Sequence, residues 1–259
     1  MYEKKEINGY QKEKFSEYER NSVAKYFAIY ENMLKNMLRS EKNIKILDVG
    51  GGSGNFAFAL SKYFAENGYD AEIFVLDITK YDTWELYGDT IHFIEGSSFD
   101  IEKYFNICTF NLVFVNCAFH HLIQSSWQKT IAGIIALLRS IHKILKNDGI
   151  LCVSEYFYEI LFFKEISSWI IYTLSTISTP TIMTLLRKIG SKSAGVGVCF
   201  LSIDKWKRLL NQTEYKIIDL TEKPKRFVKG LPVKEQFFYF SLQKSSESVE
   251  KSCRNESQT

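Results

Sequence analysis

The sequence predicts an α/β fold: a doubly wound, mostly parallel sheet of seven strands whose last strand is antiparallel, carrying a helical cap. Three observations predict it. Short apolar runs alternate with helical stretches from residue 45 to residue 155. Leu112-Val113-Phe114-Val115-Asn116 is apolar up to its last residue, as a strand buried on both faces must be. Finally, Ile46-Leu47-Asp48-Val49 runs directly into Gly50-Gly51-Gly52-Ser53-Gly54 and then a helical stretch, a strand–turn–helix joint.

The elements follow in order. Tyr10 to Leu38 reads as an amphipathic helix, because Val23, Tyr26, Phe27, Tyr30, Met33, Leu34 and Met37 recur at steps of three and four. Lys45–Val49 is the first strand. Phe56–Asn67 is a helix with Gly68 as its stop. Glu72–Asp77 is the second strand, Thr83–Tyr87 a short helix, Ile91–Glu95 the third strand and Leu112–Asn116 the fourth. Ser126–Leu145 is a long helix closed by Asn147-Asp148-Gly149, and Ile150–Glu155 is the fifth strand. From Tyr156 to Gly197 the rhythm breaks into apolar, helical material. Ser202 caps a helix over Ile203–Leu210. Tyr215–Thr221 and Gln236–Leu242 are two further strands, joined through Pro224, Gly230 and Pro232 as an antiparallel pair. The expected organisation is a helical segment or lid over 1–43, a ligand-binding core over 44–155, a cap over 156–200, the rest of the sheet over 201–244 and a polar, disordered tail over 245–259.

A chain of 259 residues can bury a sizeable core. Its net charge of +3 makes no strong case for nucleic acid or an acidic membrane surface as partner. Cys108, Cys117, Cys152, Cys199 and Cys253 form no C-x-x-C pair, so neither a zinc site nor a disulfide framework is expected, and the reading is of reduced thiols in a cytoplasmic protein with no metal. Met1 to Glu6 is charged from the start, unlike a secretory leader. Ile166 to Leu186 holds no charged residue, yet about half of it is Ser, Thr and Pro180. A membrane span is not expected there; peripheral association through 166–186 stays open.

The glycine turn has a chemical reading. Asp48, Gly50, Gly52 and Gly54 occupy every second position. Glycines let the chain turn with positive φ and let a ligand approach the backbone. The next helix offers unpaired N–H groups to an anionic group. The dinucleotide spacing G-x-G-x-x-G from Gly50 fails at Asn55, and no lysine follows in the register a P-loop needs.

This D-x-G-x-G-x-G run resembles the S-adenosylmethionine site of class I methyltransferases. The element order from Ile44 to Lys244 resembles that family too, and Leu145-Lys146-Asn147-Asp148-Gly149-Ile150-Leu151 is similar to its L-K-P-x-G turn, with Asn147 in place of proline. The resemblance implies a Rossmann-like sheet, S-adenosylmethionine as cofactor and methyltransferase activity. It places Asp48 near the methionine amino group or behind the loop, and Gly50, Gly51, Gly52 and Gly54 beneath the cofactor. It places Asp77 on the ribose hydroxyls. Ser97 stands where many relatives have an aspartate beside adenine, leaving Ser98 to hydrogen-bond and Phe99 to cover a ring face. Asn116, at the end of the fourth strand, is expected on cofactor or substrate. His120 or His121 is the candidate for taking a proton from the acceptor.

Tyr156, Trp169 and Tyr172, within a run rich in Tyr, Phe and Trp, are the candidate substrate contacts, with Glu155 and Glu159 as polar ones. They point to a small, hydrophobic or aromatic acceptor methylated on oxygen, nitrogen or carbon. The same aromatics also fit a homodimer face. Tyr10 and Tyr18 are candidates for closing over the cofactor. One alternative is a nucleic-acid or protein methyltransferase. Asn116-Cys117-Ala118-Phe119 lacks the N-P-P-[YF] tetrad of amino-directed nucleic-acid enzymes, and Lys223, Lys225, Arg226, Lys229 and Lys234 read as a solvated basic loop. The other alternative is a cofactor-binding subunit without activity.

Overall fold

The computed structural model describes residues 43–87, 90–177, 195–228 and 230–245, most of 23–35, and positions 179, 181, 183 and 184. The chain forms two compact units, one of residues up to 115 with 143–151, the other of 116–142 with the residues from 152 onward. Its strands, β1 (Asn43–Val49), β2 (Asp70–Asp77), β3 (Ile91–Glu95), β4 (Phe110–Asn116), β5 (Leu145–Ile160), β6 (Tyr215–Glu222), β7 (Arg226–Phe227) and β8 (Val233–Lys244), hydrogen-bond in the order β3-β2-β1-β4-β5-β8-β6, with β7 paired to β8.

The first unit is built on β1 (Asn43–Val49), which lies parallel to β2 (Asp70–Asp77) on one side and to β4 (Phe110–Asn116) on the other. β3 (Ile91–Glu95) adds in parallel to β2, with Val75 opposite Phe93. Ile46, Leu47, Ile73, Val75, Leu112, Val113 and Phe114 are fully buried, as expected of strands covered on both faces. Helix α1 (Asn55–Glu66) buries Phe56, Ala57, Leu60 and Phe64. It stops where Gly68 takes φ 77° and Tyr69 N–H reaches back to the Phe64 carbonyl at 3.0 Å. Of the long N-terminal helix read from sequence, the described residues between 23 and 35 are helical. Their buried stripe, Tyr26, Tyr30 and Leu34, keeps the four-residue step. Tyr30, Phe56 and Phe114 meet as edge-on and tilted rings at 5.0–6.3 Å. Short helices α2 (Trp84–Tyr87) and α3 (Ile101–Tyr104) follow β2 and β3.

In the second unit β8 (Val233–Lys244) runs antiparallel to β6 (Tyr215–Glu222), as expected. An eighth strand, β7 (Arg226–Phe227), lies within the stretch read as loop and pairs with β8. Helix α6 (Ile203–Leu210) starts at Ser202, whose hydroxyl accepts the Lys205 N–H, and buries Ile203, Trp206, Leu209 and Leu210. Trp206 packs against Phe119 and Phe240 at 5.1 and 5.7 Å. Helix α4 (Trp127–Ile144) spans the stretch read as a long helix.

Two readings are corrected. No turn separates α4 from the next strand: β5 (Leu145–Ile160) begins at once. Gly149 serves close approach instead, since a Cβ there would lie 2.9 Å from the Phe110 carbonyl oxygen. β5 also continues through Tyr156–Ile160, residues assigned to the helical cap. Tyr156, Phe157, Tyr158 and Ile160 are strong β-formers, and they extend the strand with Glu155, Phe157 and Glu159 on its buried side. A 3₁₀ turn over Lys164–Ile166 leads into helix α5 (Ser167–Thr176), whose buried face carries Ser167, Ser168, Tyr172 and Ser175. Ser167 accepts the Ile160 N–H and donates to the Phe163 carbonyl, and Ser175 accepts the Val198 N–H, so these small polar residues are satisfied inside. Among the described residues no helix is long and apolar enough to cross a membrane.

Candidate functional site: a glycine turn and a histidine–glutamate pair

Glycines 50, 52 and 54 take φ values of 69°, 54° and 81°, all in the left-handed region. Such alternation curls backbone N–H groups toward one side, a concavity that suits an anion. Gly51 is needed for a different reason: a Cβ on it would lie 2.6 Å from Oδ2 of the buried Asp48. Asp48 thus sits directly behind the loop. Helix α1 begins after Gly54 with no side-chain cap bond from that residue and no acidic residue in its first turn, so no carboxylate of that turn opposes an anion at its positive end.

Asp77 closes β2 and clamps the turn. Its Oδ2 accepts the Gly52 N–H and its Oδ1 the Thr79 N–H, both at 2.9 Å. Burial pushes its carboxyl up from the ordinary value, against the pull of the N–H groups of Thr79, Gly52 and Ile78. The Thr83 hydroxyl donates to the Ser53 carbonyl at 2.7 Å, and Trp84 Nε1–H to the Gly52 carbonyl at 2.8 Å. The Trp84 indole stacks on Phe93 at 4.8 Å. Thr83 and Trp84 were read from sequence only as the start of a short helix, because nothing in a helix six residues past a strand signals a bond to a distant loop. After β3, Ser97 accepts the Phe99 N–H at 3.3 Å and caps a single 3₁₀ turn over Ser98–Asp100. Ser98 and Phe99 are half-buried there.

The second unit holds a separate polar group. Asn116, the last residue of β4, accepts the Ser154 hydroxyl at 3.0 Å. Cys117 follows with φ 52°, its N–H on the Ser154 carbonyl at 2.8 Å. A non-glycine residue in that region stores strain, and such strain gathers at functional sites. The next turn brings His120 Nδ1 to 2.7 Å from Glu155 Oε2, and the His120 N–H donates to Oε1 of the same carboxylate at 3.3 Å. Both side chains are buried. Phe200 lies nearly parallel to the His120 ring at 4.6 Å, and Tyr158 meets Phe200 at 4.7 Å. Burial, with Glu235 next in weight, pushes the Tyr158 hydroxyl up, so it stays a neutral donor. His121 is exposed, its ring 4.1 Å from that of His120.

With its Nδ1–H given to Glu155, a neutral His120 carries the lone pair on Nε2, the form a proton acceptor needs. Glu155, read from sequence only as a polar contact, is the residue that fixes this tautomer. Its signal was position: an acid at the carboxyl-terminal half of a central strand. Of the candidate acceptor contacts, Tyr156 packs on Phe237 at 5.0 Å. Tyr172 donates its hydroxyl to the Gln124 carbonyl at 3.1 Å and meets Trp127 edge-on. Trp169 is half-exposed. Tyr10 and Tyr18 lie outside the described residues, as does the tail from 246. Among the described residues no group of His, Cys, Asp and Glu could hold a metal ion.

The first unit fits S-adenosylmethionine. A carboxylate has two lone pairs on each oxygen, so Asp77 keeps acceptor capacity for the ribose hydroxyls after bonding Gly52 and Thr79. The glycine concavity and the uncapped start of α1 suit the methionine carboxylate.

Known proteins agree. A family described as a methyltransferase domain matches residues 40–216. Comparison with curated proteins gives no match. Among solved structures the chain is similar to the YcgJ protein of Bacillus subtilis, at 14% identity and a TM-score of 0.54, over 83% of this chain and 98% of that one. It is similar to a 1,6-didemethyltoxoflavin N1-methyltransferase of Burkholderia thailandensis, solved with 1,6-didemethyltoxoflavin and S-adenosylhomocysteine bound. That pair shares 16% identity and a TM-score of 0.52, over 88% of this chain and 78% of that one. A TehB-like S-adenosylmethionine-dependent methyltransferase of Corynebacterium glutamicum is similar at 16% identity and a TM-score of 0.54, over 92% and 100%. At these identities the likeness speaks for the fold. The family match covers well over half of the chain and agrees with the strand order and the glycine turn: the protein belongs to the class I S-adenosylmethionine-dependent methyltransferases.

Proposed function

We propose that this methyltransferase acts on a small hydrophobic or aromatic acceptor that gives up a proton from oxygen, nitrogen or an activated carbon, and that His120 takes that proton. The observation that carries the reading is the buried pair of His120 Nδ1 and Glu155 Oε2 at 2.7 Å. Bound S-adenosylmethionine supplies a methyl group already activated on a sulfonium. Asp77, the glycine turn and the start of α1 hold and orient the cofactor. His120 Nε2 receives the acceptor proton, and Glu155 stabilises the imidazolium that results. Phe200 stacked on the His120 ring, with Tyr158 against Phe200, puts apolar surface beside this pair, which supports a hydrophobic acceptor.

The test uses purified protein, S-adenosylmethionine and a panel of hydrophobic hydroxyl, amine and carbon acids. His120→Gln is expected to bind the cofactor as the wild type does in calorimetry, while turnover falls on the order of 10²–10⁴-fold. Glu155→Gln is expected to lower kcat less, because the amide oxygen still accepts the Nδ1–H but carries no charge to stabilise the imidazolium. Unchanged kcat in His120→Gln across the pH range would remove the base from the reading.

A further inference from the structure

The turn that follows β5 exposes what folding ordinarily hides. Phe162 is 91% exposed, and Phe163, Ile166 and Trp169 beside it are each about half-exposed. Phe162 also has φ 68°, a left-handed conformation that an aromatic residue rarely adopts. The turn is held in place, with Leu161 N–H on the Pro232 carbonyl at 2.9 Å and Phe163 N–H on the Ile160 carbonyl at 3.1 Å. A strained backbone and an exposed ring at one residue both cost stability, and together they point to a use outside the fold.

The Pro232 contact sets the β7–β8 hairpin beside this turn. The hairpin carries exposed Lys223, Lys225 and Arg226, with Lys234 Nζ 4.9 Å over the ring of the exposed Phe227. Lys164 lies on the turn itself. Facing them, Glu159 is paired with Lys225 at 2.6 Å and Glu222 with Gln236 at 3.0 Å, leaving Glu165 and Glu235 as further acids. The basic excess is small, so apolar insertion carries the larger share and charge sets a preference.

We propose that Phe162, Phe163, Ile166, Trp169 and Phe227, flanked by Lys164, Lys223 and Arg226, form a docking surface for an anionic lipid bilayer. Aromatic rings on a protruding turn match the bilayer interface, where an apolar body sinks and a basic rim meets the headgroups. A second copy of the chain fits less well. In a symmetric pair this protruding, basic-rimmed tip would face itself. The proposal is independent of the role given to His120. It keeps the acceptor hydrophobic and changes only where the protein would meet it.

Sedimentation with vesicles of phosphatidylcholine alone, and of phosphatidylcholine with 30 mol% phosphatidylglycerol, tests it. The wild type is expected to sediment with the anionic vesicles and several-fold less with the neutral ones. Phe162→Gly with Phe163→Ser is expected to abolish binding. Lys223→Ala with Arg226→Ala is expected to weaken it about 25-fold, at about fivefold per charge removed near the surface. Phe162→Gly alone separates a packing role from a docking one. Glycine relieves the strained φ, so thermal stability should hold or rise while vesicle binding falls. Cofactor binding by each variant reports that the fold is intact. Absence of wild-type binding to anionic vesicles overturns the proposal. So does binding indifferent to these substitutions, or a concentration-dependent dimer that Phe162→Gly dissolves without any vesicle binding.

Discussion

Asp77 bonds two backbone N–H groups on different segments, and so joins the end of β2 to the glycine turn. Its place at the end of the second strand was legible in the sequence; its task as a clamp on the glycine turn was not. A clamp is a matter of which N–H groups converge in space, and sequence spacing does not reveal that. The same holds for Glu155, whose partner His120 is 35 residues away. His142 shows how burial alone tunes a side chain. Burial, then the nearby charge of Lys244, lower it to about 4, with Glu214 opposing. A base with a depressed folded value is neutral in the fold but charged in the unfolded chain between the two values. Its stabilising contribution is therefore complete above about 6.5 and is lost as pH falls toward about 4. His142→Leu is expected to flatten the loss of stability between pH 6.5 and 4 by about 1–2 kcal/mol, a size reduced for its partial exposure. Urea unfolding at a series of pH values measures it.

At the scale of elements, β1, β2, β3 and β4 appear where apolar runs bounded by breakers put them, and β4, buried on both faces, leaves the clearest run. The reading failed at β5. Asn147-Asp148-Gly149 has the composition of a turn, and the aromatic run from Tyr156 has the composition of a cap, yet both lie in one strand of 16 residues. Composition misled there, and polarity gave no help, since the buried side of the strand's end carries Glu155, Phe157 and Glu159 while Tyr156, Tyr158 and Ile160 are half-buried. Two glycines separate the causes of glycine dependence. Gly149→Ala would set a Cβ 2.9 Å from the Phe110 carbonyl and 3.0 Å from the Lys146 carbonyl, backbone atoms that cannot step aside. It is expected to cost about 1–3 kcal/mol. Gly68→Ala meets nothing within 4 Å and is expected to cost only the strain of its φ of 77°, about 1 kcal/mol. Paired urea midpoints compare the two.

For the whole molecule, the cofactor binds the folded chain and stabilises it by mass action. At a concentration 100 times its dissociation constant the gain is about 2.7 kcal/mol. For a chain of this size that is a rise in Tm of about 5–10 °C, read by calorimetry with S-adenosylhomocysteine. Asp77→Ala is expected to remove the rise and to lower the unliganded Tm, because two N–H groups lose their acceptor. The parallel sheet with its antiparallel end was legible from the alternation of elements and the final loop. The division into two compact units was not, since it cuts β5 between Leu151 and Cys152, inside a run with no break in composition.

The indole of Trp84 touches the glycine turn through its N–H while its face rests on Phe93. Its emission depends on that hydrogen bond and that stack, so a ligand that shifts the Gly52 carbonyl alters the light the protein gives out. The molecule carries a built-in optical gauge of its own turn, and a Trp84→Phe control shows which part of the signal belongs to it.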